Sequence, residues 1–301
     1  MEHKFGAAAI IGPPNAGKST FLNQILGQKI AIVTPKPQTT RNRISGIWTG
    51  EDAQVVFLDT PGIHRLRGKM NSFLLKSAWQ ALAGADVAVL FLDAALYADK
   101  PHVFDKDMAP IKKELAQAGA QLLIAANKVD KVHDKRKLLG VLGRIGEMFP
   151  DAEIFPVAAI NGDGLDGLLE KVVSMLPEGP PMFPEDQVST VPMRFLAAEI
   201  VREKLFMELR QELPYQTTVE IEHWEEEDGL VRIAALIYTA RKTHKGIIIG
   251  KGGATLKKVG QSARTELEDM LQCKVFLQIW VKIREGWTED PGFLRSLGFG
   301  E

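Results

Sequence analysis

The segment Gly12-Pro13-Pro14-Asn15-Ala16-Gly17-Lys18-Ser19, followed by Thr20, has the GxxxxGK[ST] spacing of a phosphate loop. It lies between an apolar run, Ala7–Ile11, and a helical pattern, Lys18–Leu26, the strand-loop-helix context that the motif requires. Glycine there lets main-chain N–H groups close around a β-phosphate, and the new helix offers its positive end. Lys18 can then reach β and γ oxygens, and Ser19 can ligate Mg²⁺.

Beyond this loop the pattern repeats. Short apolar runs at Gln54–Leu58, Val87–Leu92, Gln121–Ala126 and Glu153–Val157 alternate with helical patterns at Lys69–Ala83, His102–Ala118, Lys135–Phe149 and Leu165–Leu176. Strict alternation implies right-handed crossovers, a mostly parallel sheet with helices on both faces, and ligands at the carboxyl ends of its strands.

Two of those strand ends carry chemistry. Asp59-Thr60-Pro61-Gly62 follows Gln54–Leu58, where the carboxylate can hold a metal through water and Gly62 can give its amide to a γ-phosphate. Asn127-Lys128-Val129-Asp130 ends Gln121–Ala126 and selects the base. Guanine presents two adjacent N–H donors that one carboxylate accepts together, and adenine does not. Against adenine the buried Asp130 carboxylate would go unpaired, at a cost on the order of 1–3 kcal/mol or more, so ATP is expected to be a poor substrate.

The set GPPNAGKS, DTPG and NKVD, in that order, resembles the translation-factor class of GTPases. The resemblance implies nucleotide contacts from Gly12 to Thr20, from Asp59 to Gly62, and at Asn127, Lys128, Asp130, Ala158 and Ala159. In Gln38-Thr39-Thr40-Arg41, at the first switch, Thr40 is expected to complete Mg²⁺ coordination with Ser19 and Asp59, with Thr39 as its competitor. Ile63 stands where many such enzymes place a water-orienting Gln. Hydrolysis is therefore expected to rely on Lys18, Thr40, Gly62 and Asn15, the last a candidate ligand for K⁺ or simply a loop-closing residue. Arg41 and Arg43 are expected as solvated switch-loop arginines, with a cis arginine finger as the alternative. Ala158-Ala159 replaces the usual Ser-Ala; Ala159 is expected to give its N–H to guanine O6, without the serine hydroxyl that supports the base-binding Asp.

Five prolines fall between Pro177 and Pro192, which marks residues 178–192 as a linker between a domain of residues 1–177 and a smaller one of residues 193–301. The second reads helix (Met193–Gln211), strand (Thr217–His223), strand (Leu230–Ala240), two helical segments around Gly246–Gly253, and strand (Lys274–Ile283). Its window from Asp228 to Glu266 contains no acidic residue between those two, and holds Ile248-Ile249-Gly250-Lys251-Gly252-Gly253. That order and that GxxG loop resemble a KH domain of the bacterial (type II) arrangement, an α+β fold that binds four unpaired bases. Lys251, Lys257 and Lys258 are expected on RNA phosphates and Ile248 and Ile249 in the groove. Arg284, Trp280 and Trp287 could stack on further bases, although core packing is the commoner fate of a strand tryptophan such as Trp280.

A nucleotide domain joined to one C-terminal KH domain resembles the Era family. That resemblance implies a GTP-hydrolysing switch that binds GTP and GDP with Mg²⁺, the 3′ end of 16S rRNA and the 30S subunit, assists small-subunit maturation, and associates loosely with the inner face of the cell membrane. Composition is compatible: 301 residues, 45% hydrophobic and 25% charged with net charge −1, exclude a disordered or collagen-like chain, and Cys273 alone excludes an intrachain disulfide framework. No apolar run reaches a membrane span, and Ala7–Ile11 leads straight into the glycine loop, so neither an anchor nor a removable leader is expected. A cytoplasmic monomer is the expectation. The competing readings are a constitutive KH protein with an inactive nucleotide domain, a small-molecule kinase, which NKVD disfavours, and a membrane-acting GTPase, for which no basic amphipathic helix or lipidation motif speaks.

Overall fold

The computed structural model describes residues 3–64 and 68–299. The amino-terminal half runs β1 (Lys4–Ile11), α1 (Lys18–Leu26), β2 (Ile44–Thr49), β3 (Ala53–Asp59), α2 (Lys69–Ala83), β4 (Val87–Asp93), α3 (Ala94–Asp99), α4 (Pro101–Ala118), β5 (Gln121–Asn127), α5 (Lys135–Met148), β6 (Glu153–Pro156) and α6 (Leu165–Met175). The sheet order is β2-β3-β1-β4-β5-β6, with only β2 antiparallel. Val87–Leu92 of β4 is wholly buried because helices cover both faces. Phe21, Leu22, Leu168 and Val172 pack on one side, and Ala78, Phe104, Met108 and Ile145 on the other. Each large side chain so buried contributes about 1.5–3 kcal/mol. Chain order reverses beside β1, so the phosphate loop opens into the crevice at the carboxyl ends of β1 and β4.

The edge strand β2 was not expected from sequence; its pairing with β3, from Ile44 opposite Asp59 to Thr49 opposite Gln54, creates it. The proline-rich linker is pinned along this edge. The buried amide of Gln54 accepts from Met182 N (2.9 Å) and Phe183 N (3.0 Å), Ile47 N donates to Val188 O (2.9 Å), and Ser189 Oγ donates to Ser45 O (2.6 Å).

The second half comprises α7 (Met193–Glu208), β7 (Thr217–Glu227), β8 (Leu230–Thr239), α8 (Lys242–Ile249), α9 (Ala254–Leu271), β9 (Lys274–Ile283) and α10 (Pro291–Ser296). Its sheet pairs β7 and β8 antiparallel and β8 and β9 parallel, the type II KH order. Helix α7 is buried nearly all round, charged Glu199, Arg202 and Glu203 included, because the KH sheet lies on one side and the nucleotide domain's residue 29–41 segment on the other. A second contact joins the halves: Met70 and Leu74 of α2 pack with Trp287, Phe293, Leu294 and Phe299. No helix among the described residues is long and apolar enough to cross a membrane.

Candidate functional site

The three motifs converge on one cavity of about 690 Å³, lined by the phosphate loop, the 32–40 segment, Gly62, Asn127, Lys128, Asp130 and Ala159. The loop is locked by close approach. A Cβ on Gly17, whose φ is +97°, would stand 2.1 Å from Asn127 Nδ2. Asn127 occupies that space because its Nδ2 donates to Ala16 O (2.7 Å) while its Oδ1 accepts from Ala159 N (2.9 Å). Lys128 Nζ adds bonds to Asn15 O (2.5 Å) and Asp93 Oδ2 (2.6 Å). Asp130, expected as a buried carboxylate, instead stands exposed at the mouth, where a base can cover it.

At the other end Lys18 Nζ lies on Gly12 O (3.1 Å) and Pro13 O (2.9 Å). Burial lowers its pKa to about 8, against the opposing pull of Asp59. Ser19 Oγ donates to Asp59 Oδ2 (2.6 Å) and meets Thr40 Oγ1 at 2.8 Å. Thr39, the competitor, is turned away onto Thr34 Oγ1 (2.6 Å) and Lys36 O (2.8 Å). Burial pushes the Asp59 carboxyl up to about 6, with the Lys18 charge and the Ser19 hydrogen bond opposing. Two hydroxyls and a carboxylate whose Oδ1 is buried without a partner form the hard oxygen set that fits Mg²⁺. Thr60 Oγ1 donates to Ile10 O (2.8 Å) and Ile63 N to Gly12 O (3.0 Å), which ties the DTPG loop to β1 and the phosphate loop. Ile63 itself is core, next to Ala9 and Ile11. Residues 65–67, in the segment after Gly62, lie outside the described residues.

Two expectations need correction here. Arg41 is not a solvated switch arginine: it is 3% exposed, and its guanidinium donates to Thr217 O (2.7 Å) and Pro214 O (3.1 Å) of the KH half, away from the phosphates, which also excludes it as a finger in this arrangement. Arg43 is exposed as expected. The Ala159 N–H is already engaged by Asn127 Oδ1, so guanine O6 must share it or turn to the neighbouring Ile160, which lines the same cavity. Ala158, fully buried, gives its N–H to Asp163 O (2.9 Å).

A second cleft, of about 400 Å³, runs beside the GxxG loop between α9 and β9. Its floor is Leu256, Leu277 and Ile279, and its rim is Lys257, Gln261 and Arg264. Gly252, at φ +60°, has open space where a Cβ would project, so main chain faces solvent there, with Lys251 exposed beside it. Sequence reasoning missed Leu256, Gly260, Gln261 and Arg264, although their 3–4-residue spacing after the loop marks one helix face. Ile248 is fully buried in the KH core and Ile249 half-buried against it, so neither lines the cleft; Ile247, 53% exposed, is the isoleucine that solvent reaches. Trp280 is 45% exposed rather than core, and Trp287 is fully buried in the contact with α2, so it cannot stack on bases. Lys258 pairs with Glu208 (2.8 Å), and Arg284 pairs with Asp290 (2.8 Å) while lying over the Phe293 ring, so RNA would compete with these partners.

Comparison with known proteins finds matches to both halves of the chain. A family model described as 50S ribosome-binding GTPase matches residues 7–128, and a KH domain model matches residues 212–288. GTPase Era of Nitratidesulfovibrio vulgaris (strain DP4) is 55% identical over 98% of this chain and 97% of its own length. The chain belongs to the Era family of GTPases. Era of Desulfovibrio desulfuricans is 49% identical over 99% of the chain and 98% of its own length. Among solved structures, an Aquifex aeolicus Era variant bound to GDP and aluminium fluoride superposes with a TM-score of 0.93 at 37% identity, covering 99% of this chain and 100% of that one. Era with MgGDPNP and nucleotides 1506–1542 of 16S ribosomal RNA gives 0.92 at 36% identity, with the same coverage of both chains. The chain is thus a GTPase with a type II KH domain.

Proposed function

We propose that this GTPase is a magnesium-dependent switch whose KH cleft takes the single-stranded 3′ end of 16S rRNA and whose cycle assists maturation of the small ribosomal subunit. The observation that carries the reading is the Ser19–Thr40–Asp59 cluster, because the same short segment that brings Thr40 to the phosphate end also touches the RNA-binding half through Thr39 and Arg41. Main-chain amides of the loop and Lys18 bind the phosphates, and Asp130 reads guanine. Ser19, Thr40 and, through water, Asp59 would hold Mg²⁺, which when bound neutralises charge developing on the transferred phosphoryl group. Ile63, buried in the core, takes no part in orienting water. Asn15 donates its Nδ2 to Pro35 O (3.0 Å), which leaves its side-chain oxygen as the donor for K⁺. With no glutamine after DTPG and Arg41 engaged elsewhere, unassisted turnover should lie at roughly 10⁻⁴ to 10⁻² s⁻¹.

Strands of RNA enter along Lys251–Gly253 and rest bases on Leu256, Leu277 and Ile279, with Lys257 and Arg264 toward phosphates. Any membrane association is peripheral, and the working unit is a monomer. Phosphate release from GTP, followed with and without a 16S 3′-end oligonucleotide and with K⁺ or Na⁺, tests the proposal. Release that responds to neither RNA nor Mg²⁺ would contradict it and favour a constitutive RNA binder.

A further inference from the structure

The contact of α7 with the residue 39–41 segment has an unusual charge count. Arg202 is 1% exposed and Arg41 3%, and their guanidiniums lie over the Phe206 ring at 5.1 and 5.4 Å from its centroid. Among the described residues Glu199 alone supplies a carboxylate: Oε1 accepts from Arg202 Nε (2.6 Å) and Oε2 from the same guanidinium's NH2. Every other acceptor that these guanidiniums have among the described residues is a main-chain carbonyl, namely Thr39 O for Arg202 (2.5 Å) and Thr217 O and Pro214 O for Arg41. Of the two buried cations, Arg41 therefore has no carboxylate hydrogen-bonded to it among the described residues.

A buried cation without a counter-charge is tolerated only while well-placed dipoles hold it. Thr39 O is such a dipole, and it belongs to the residue adjoining Thr40, whose hydroxyl meets Ser19 at 2.8 Å. If Thr40 leaves Ser19 and draws its two neighbours along, Arg202 keeps Glu199 but loses the Thr39 carbonyl, and Arg41 loses Thr217 O and Pro214 O. The inward position of Thr40 and the closed contact with α7 are then one cooperative state.

We propose that Arg202 is a positioning residue for GTP hydrolysis, supplied by the RNA-binding half: by gripping the Thr39 carbonyl it holds Thr40 beside Ser19 and Asp59. The inference rests on the magnesium-GTP reading above and deepens it. Arg suits the place because its planar fork serves Glu199 and Thr39 at once, which a lysine cannot.

The test uses the full chain carrying Arg202→Met, with calorimetric affinities for GDP and for a non-hydrolysable GTP analogue in Mg²⁺, and single-turnover hydrolysis. GDP affinity should stay within about twofold while analogue affinity falls at least about fivefold, the lower end of ordinary coupling between sites, and the hydrolysis rate falls with it. In a Thr40→Ala background Arg202→Met should cost nothing more, because the group it positions is gone. If Arg202→Met does not fold, Arg202→Lys, which keeps the charge but not the fork, should show the same change in ratio to a smaller degree. An unchanged analogue-to-GDP ratio in a folded variant, an equal loss of both nucleotides, or additivity with Thr40→Ala would each overturn the proposal. Failure of the unaltered chain to bind either guanine nucleotide would instead remove the reading beneath it.

Discussion

The two ends of the nucleotide cavity are built differently. The base end is closed within the first domain: Asn127 and Lys128 bond to Ala16, Ala159, Asn15 and Asp93. The phosphate end is shared. Its 33–41 segment donates to Glu203, Phe206, Leu209, Pro214 and Thr217, and α2, which follows Gly62, packs Met70 and Leu74 on Trp287. On the proposed reading, guanine recognition is a local property of one domain, whereas a γ-phosphate would be felt by both.

Substitutions should separate the ends. Lys18→Ala, at the phosphate end, should weaken GDP and GTP binding together and slow single-turnover hydrolysis by about 10³-fold, since it removes a preorganised charge from the transferred group. Trp287→Ala should remove about 3–5 kcal/mol of stability, read by denaturant unfolding, because a fully buried tryptophan leaves a cavity. It should also blunt discrimination of GTP from GDP while leaving preference for guanine over adenine intact. Asp130→Asn should do the reverse: GTP affinity falls roughly 10- to 100-fold, as expected for loss of hydrogen bonds to a charged group, and xanthosine triphosphate gains, with no change in unfolding.

The acid–base behaviour of the phosphate end follows from Asp59. Burial raises its pKa to about 6, so in the metal-free chain the proton is favoured below that value, and the stability this shift contributes is lost as pH rises through about 6. Mg²⁺ needs the ionised form, so apparent Mg²⁺ affinity should rise about tenfold per pH unit up to about 6 and level off above it. Asp130→Asn should leave that profile untouched. The smallest effect is expected at the RNA cleft, where Lys251→Ala should weaken binding a few-fold and reduce the salt slope by about 1.

The base end was almost fully legible in the sequence because its parts are contiguous motifs at strand ends. Asn127, Lys128 and Asp130 needed only the preceding strand to be placed, whereas the place of Thr40 beside Ser19 and Asp59 came from the family resemblance, with Thr39 left as its competitor. What escaped depends on contacts between distant segments. Arg41 and Arg202 are 161 positions apart and meet only when α7 docks, so nothing local separates them from solvated arginines. In β9 the apolar face Val275, Leu277, Ile279 and Val281 alternates with Lys274, Gln278 and Lys282, a pattern that turns Trp280 outward and that the general preference of strand tryptophans for the core overrode. Three consecutive isoleucines before Gly250 likewise conceal which one α8 turns into the core. β2, interrupted by Ser45 and Gly46, exists because β3 pairs with it.

The shared phosphate end is tested most directly by titrating a 16S 3′-end oligonucleotide into the full chain, first saturated with MgGDP and then with a magnesium-bound non-hydrolysable GTP analogue, at one salt concentration. Thr40 seated on Ser19 together with an open α9–β9 cleft predicts RNA affinity at least about fivefold higher with the analogue, and an equal gain in analogue affinity when RNA is bound first. Identical RNA affinity in the two nucleotide states would contradict it.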